Sequence, residues 1–353
     1  VLRTKDDKNK KSRADKITKI NLTMLANITS DLFLQIKNLI ASSRQQVVRA
    51  VNSTMVLTYF QVGKIIVEDE QKGNSKAKYG ERTLKELSTK LTTEFGKGFS
   101  VQNLENMRNF YRAFGISQTV SRKFTLSWSH YVFLSKIDED ERQFYTIEAV
   151  ENNWSVRDLE RQYNSSLFER LKLSKNKKKI RELSQKGQVV SDPIDVIKDP
   201  YILEFLNLAE SPEYSESELE QEIINKIEKF LLEIGKGFTF VGRQQRFTFD
   251  QRHFYVDLVF YNRLLKCFVL LDLKIGELTH QDLGQMQMYV NYYDRFVKTD
   301  EESKTIGIVL CKDKNDSLVE ITLPKENKQI FASKYRLYLP SKKELKKQME
   351  VAL

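Results

Sequence analysis

Val256-Asp257-Leu258-Val259-Phe260-Tyr261 is an apolar, strand-like run carrying one acid, and Leu271-Asp272-Leu273-Lys274 repeats the pattern with a lysine two residues after its acid. Core strands seldom carry such charges without a task, because an unpaired buried charge costs several kcal/mol. An acid on one strand and an acid-x-lysine on the next could hold a divalent metal and activate a water beside a phosphate.

Working outward, Phe238–Phe249 reads as a strand because it is rich in aromatic and β-branched residues. Residues 253–261 read as a second strand and 267–275 as a third, the last with the near-continuous apolar run of a central strand. A four-residue loop at 263–266 would set Asp257 across from Asp272. A tight turn at Asn262-Arg263 would instead pair Asp257 with Phe268. The first register gathers the charges and is preferred. Period-two alternation then projects Asp272 and Lys274 from one face. A helix is expected over 279–296, with Gln285 and Tyr289 one turn apart. Strands are expected at 305–310 and 335–339. Ahead of the sheet, Leu219, Ile223, Ile224, Ile227, Phe230 and Leu231 fall at helical spacing over 217–233. Ser217 is the expected N-cap with Glu220 as its capping-box partner, and Gly235 ends the helix.

This order of helix, three strands, helix and strand, with Asp257 and Asp272-x-Lys274 on the strands, resembles the PD-(D/E)XK nuclease superfamily. Gln285-x-x-x-Tyr289 resembles the additional motif of its RecB-type members. Residues 237–244, 257–261 and Gly284-Gln285-Met286 look more narrowly like the YhcG-like nuclease family of bacteria, over about residues 30 to 340. The resemblance implies a restriction-endonuclease-like α/β domain, a mixed sheet flanked by helices, that cuts DNA with Mg²⁺ or Mn²⁺. It implies Asp257 and Asp272 as metal ligands with the Leu273 carbonyl as a third. Lys274 would orient the attacking water. Glu220 would complete the site, with Glu218 and Glu222 left open as alternatives, and Gln285 and Tyr289 would steady Lys274 or the substrate. Val256 stands where the superfamily has its nominal proline, and Asp272 replaces the commoner glutamate.

Composition sets the bounds. The net charge of +10 suits a polyanionic partner, and 40% hydrophobic residues suffice for proper cores. Histidines at 130, 253 and 280 and cysteines at 267 and 311 offer neither a zinc site nor a disulfide framework, and both cysteines read as reduced core residues. No apolar stretch approaches the ~18 residues of a membrane span. A cytoplasmic, soluble protein is expected.

The expected organisation is an α+β two-domain chain. Residues 1–27 read as a basic disordered arm, 28–172 as a helical DNA- or partner-binding domain, 173–200 as a basic linker and 201–353 as the nuclease domain. Leu32, Ile36, Ile40, Val47, Val51, Met55 and Tyr59 lie on or near one helical stripe. Helices over 80–95 and from Ser100 to Phe114 have helix-turn-helix or winged-helix-like spacing, and a similar unit follows over 129–162. Arg108, Arg112, Arg157 and Arg161, with Arg243 on the first strand, are the expected contacts to duplex or branched DNA. A plainer reading makes the helical region a surface for a homodimer or another partner. The alternative to catalysis is an adaptor whose nuclease-like fold no longer cuts.

Overall fold

The structure is a computed structural model that describes residues 5–72, 77–115, 124–173, 177–208 and 214–340; for 5–31, 45, 49, 72, 77–81, 173 and 177–181 it describes the backbone alone. The linker lysine at 175 and the first four residues of the expected arm lie outside the described residues. The chain forms two compact units, 1–132 and 133–353.

In the first unit, α1 (Lys5–Lys72) is one continuous helix that takes in the polar start. It is followed by α2 (Ala77–Phe95) and α3 (Val101–Phe114). Ser100 caps α3 as expected, its Oγ accepting the Asn103 N–H at 3.2 Å. Gly63 lets α1 and α3 approach, since a Cβ there would stand 2.0 Å from the Met107 carbonyl oxygen. Ile66, Leu84, Leu104 and Met107 close this core, and Phe110 gathers Phe60, Phe124, Trp128 and Tyr131 around it. The expected stripe on α1 is not the buried one: of its residues only Tyr59 is half-buried, and the covered side chains are others. Val56, Ile66 and Val67 are covered, whereas Leu32, Ile36, Ile40, Val47, Val51 and Met55 are exposed.

Short helices continue the chain: α4 (Trp128–Leu134), α5 (Glu139–Glu151), α6 (Val156–Asn164), α7 (Leu167–Leu173) and α8 (Lys177–Lys186). The expected linker is largely built into the second unit. Gln188, Asp195, Val196, Ile197 and Lys198 are buried, and Glu148 on α5 accepts the Gln188 N–H at 2.6 Å. Around these residues lies a buried ionic cluster. Arg170 and Arg161 reach Glu233 at 2.6 and 2.9 Å, and the Lys198 ammonium donates to the Glu233 backbone carbonyl.

The sheet of the second unit comprises β1 (Tyr201–Ile202), β2 (Phe238–Phe249), β3 (Arg252–Asn262), β4 (Cys267–Glu277), β5 (Ile306–Asp313) and β6 (Ile330–Arg336), in the order β1-β6-β5-β4-β3-β2. β2, β3 and β4 are antiparallel neighbours, while β4, β5, β6 and β1 pair in parallel. One face packs on α9 (Glu216–Asn225) and α10 (Ile227–Ile234), and the other on α11 (His280–Tyr292) and α12 (Asp316–Thr322). Cys267 and Cys311 are buried free thiols, as expected.

Three local expectations need correction. The helix over 217–233 is two helices jointed at Lys226, whose ammonium reaches the Leu206 carbonyl at 2.6 Å and Glu222 at 2.9 Å. Its N-cap is Ser215 with Glu218 in the capping box, because that pair starts the helix one turn-fraction earlier than Ser217 would. The last strand lies at Ile330–Arg336 instead of 335–339, which buries Ile330, Ser333 and Tyr335.

Candidate active site

The β3–β4 ladder pairs Leu258 with Leu271 through Asn262 with Cys267, so the next position outward sets Asp257 opposite Asp272, the charge-gathering register. The ladder ends there. The Asp257 carboxylate takes over its last bond, Oδ2 accepting the Leu273 N–H at 2.8 Å. A side chain thus replaces a backbone carbonyl where the strands part, which fixes one carboxylate beside the other.

Asp272 is only 2% exposed, and its Oδ2 has no hydrogen-bond partner. The Lys274 ammonium stands 3.2 Å from that oxygen, close enough for ion pairing but not aligned to bond. Burial, reinforced by the Asp257 charge, pushes the Asp272 carboxyl up to about 7, against the opposing pull of Lys274. Burial alone would lower the Lys274 ammonium, but Asp272, Glu216 at 3.5 Å and Asp282 at 3.9 Å raise it, so it remains charged.

Three glutamates on α9 are separated by geometry. Glu218 is engaged in the capping box, and Glu222 pairs with Lys226. Glu220 is buried and bonded by the Gln244 amide, which also donates to Asp257 Oδ1 at 3.1 Å. Burial raises the Glu220 carboxyl, partly offset by Gln244 and Arg243. Sequence reasoning did not single out Gln244, Glu216 or Asp282. Gln244 reaches the acids because β2 carries an irregularity between Phe240 and Gly242, and Gln244 itself adopts a left-handed φ of 46°. Its position between Arg243 and Gln245 in a polar run gave no such signal.

On α11 the Gln285 amide donates to the Tyr289 hydroxyl. Tyr289 is buried edge-on against Phe247 at 5.5 Å, and burial pushes its phenol up to about 12, with Asp272 and Asp257 contributing. Lys274 itself pairs with Asp272, Glu216 and Asp282.

The expected basic contacts fare differently. Arg161 is not a surface residue available to phosphate: it binds Glu204, Glu233 and the Ile202 carbonyl in the interior, with its guanidinium 5.1 Å from the Phe205 ring centroid. Arg108 and Arg112 both pair with Glu70, at 2.9 and 2.8 Å. Arg157 is exposed. Arg243 is half exposed and bonds Gln221 at 2.7 Å beside Glu220.

Residues 194–350 match the YhcG PDDEXK nuclease domain, and residues 35–170 match the DUF1016 N-terminal domain. "Putative nuclease YhcG" of Escherichia coli (strain K12) is 38% identical over 339 residues, covering 87% of this chain and 90% of that protein. The chain belongs to the YhcG family. A repair endonuclease from Pyrococcus abyssi shares 21% identity with a TM-score of 0.25 over 37% of this chain and 50% of that one, too slight a likeness to carry an argument.

A YhcG-family chain with a PD-(D/E)XK domain implies a divalent metal, and the residues present fit one. Asp257 and the orphaned Asp272 oxygen supply hard donors of the kind Mg²⁺ and Mn²⁺ accept, and Mg²⁺ keeps several waters so that one or two carboxylates suffice. Among the described residues no group of three or more ligating side chains is assembled. No helix of the described residues is long and apolar enough to cross a membrane.

Proposed function

We propose that this chain is a metal-dependent deoxyribonuclease acting in the cytoplasm, with its helical N-terminal region positioning duplex or branched DNA. The observation that carries the reading is Asp257 facing Asp272 at the open end of the β3–β4 ladder, with Lys274 beside them. Asp257, Asp272 and the Leu273 carbonyl would hold Mg²⁺ or Mn²⁺. When bound, the ion would polarise a phosphoryl oxygen and acidify a water. The Lys274 ammonium offsets charge that builds on the scissile phosphate. Glu220, whose carboxyl is raised by burial, is suited to take a proton from the attacking water. Gln244 holds Glu220 and Asp257 together, and Gln285 with Tyr289 fixes the wall of the site. The exposed apolar residues between 32 and 55 support self-association as a homodimer, which sedimentation reads directly.

A second reading, an adaptor that binds without cutting, draws on one observation: both Asp257 oxygens already accept bonds from the protein. A cleavage panel decides between them. Single-stranded, duplex, nicked and four-way-junction DNA, and RNA, are incubated with Mg²⁺ or Mn²⁺ and either the parent or Asp257→Ala. Cutting by the parent that Asp257→Ala abolishes, with binding retained, supports the nuclease. Binding without cutting by both proteins supports the adaptor.

A further inference from the structure

An open cleft of about 340 Å³ lies between β2 and α11, lined by Phe247 and Phe249 from the strand and Tyr292 and Phe296 from the helical side. Phe247 stacks on Tyr292 with centroids 4.1 Å apart and planes at 22°. Gln287, Asn291 and Arg295 add amide groups and a guanidinium, and among the described residues no carboxylate lines the cleft. It adjoins the site, because Phe247 touches Tyr289 edge-on and Tyr289 accepts the bond from Gln285.

Two further features point to a ligand. Gly284 lines the cleft in mid-helix, and a Cβ there would meet nothing within 4 Å. Helical glycine costs roughly 1 kcal/mol relative to alanine, and no packing requires it here. A group approaching the helix backbone would. Beyond Tyr292 the helix passes into a π-helical turn, Tyr293–Val297, which carries the exposed Arg295 and Phe296. Such turns are frequent at functional sites.

We propose that this cleft receives an unpaired nucleobase of the strand whose phosphate lies at Asp257 and Asp272. The exposed rings of Phe249 and Phe296 offer stacking that every base accepts, the amides meet base edges, and Arg295 complements the phosphate backbone. The inference rests on the nuclease reading and deepens it: the substrate carries a single-stranded stretch next to the scissile bond. An apolar peptide would leave the Arg295 guanidinium without a counter-charge.

The test uses full-length protein carrying Asp272→Asn, so that binding is read without cutting. Anisotropy compares a duplex bearing a single-stranded overhang with a blunt duplex, and 5-iodouracil in the overhang reports contacts by photo-crosslinking. Phe296→Ala and Gly284→Leu should each weaken overhang binding roughly tenfold, about one lost stacking contact. Blunt-duplex binding should hold. Gly284→Leu should melt no lower than its parent, which excludes misfolding as the cause, and crosslinks should map to Phe249, Tyr292 or Phe296. Equal losses on both DNAs, parental overhang binding, crosslinks elsewhere, or a change in sedimentation alone would each overturn the cleft assignment. DNA cutting by the unmodified protein, measured separately, would leave the nuclease reading standing in all of those cases.

Discussion

Asp272 does the fold no favour. Its carboxyl is buried, one oxygen is unbonded and its neighbour is a second acid. An ordinary aspartate titrates at 3.8 and this one at about 7, so the folded chain binds the proton more tightly than the unfolded chain. Its contribution to stability is therefore complete below the unfolded value and is lost as pH rises to about 7. Asp272→Asn, measured by urea unfolding in chelator, should raise stability at pH 8 and change it little near pH 4, while cleavage is lost. An equal gain at both pH values would show that ionisation is not the cause. This residue was legible because a charge in an apolar strand stands out, and its facing partner followed from the one register that gathers charge. Gln244 was not legible, since its reach depends on a bulge and a left-handed φ that a polar run does not announce. Arg161 misled for the opposite reason: a lone arginine on a helix looks the same whether it faces solvent or answers a buried glutamate far along the chain.

At the scale of elements, strands β2 to β5 and the helix α11 between β4 and β5 were readable from alternation and apolar runs. Boundaries shifted where tertiary contacts intervened, as at Lys226, which breaks the α9–α10 helix to reach the Leu206 carbonyl. The thin β1 and short α12 have too few residues for a periodic signal. α11 serves two ends. Its buried ridge of Leu283, Met286, Tyr289 and Val290 packs on the sheet, and Gln285 bonds the Tyr289 hydroxyl, which feels the Asp272 and Asp257 charges. Tyr289→Phe keeps the ring against Phe247 and removes only the hydroxyl that Gln285 bonds. Tyr289→Phe and Gln285→Ala should slow single-turnover cleavage by ten- to a hundredfold, about the loss that a misplacement near 1 Å brings, with melting temperature near the parent's. A parental rate in both would reduce the pair to packing.

Across the whole molecule, Glu233 is the point on which the second unit is pinned. It is fully buried, and although burial alone would raise its carboxyl, Arg170, Lys198 and Arg161 hold it down at about 2. Two of those cations lie on α6 and α7, upstream of the 194–350 segment that matches the nuclease domain. A fragment of residues 194–353 leaves Glu233 without them, and breaking a buried pair costs roughly 3–5 kcal/mol. A fragment of residues 133–353 retains both. The longer piece should give a cooperative melt by circular dichroism and the shorter one should not; two equal melts would return the boundary to residues 173–200. The same pairing bears on descent. Arginines at 161 and 170 and the glutamate at 233 form one heritable unit, so a recombination that imports a helical half lacking either arginine strands a charge in the interior. Exchange between relatives of this chain is therefore penalised between residues 171 and 232, and the junction between its two matched segments is a poor place for nature or an engineer to cross over.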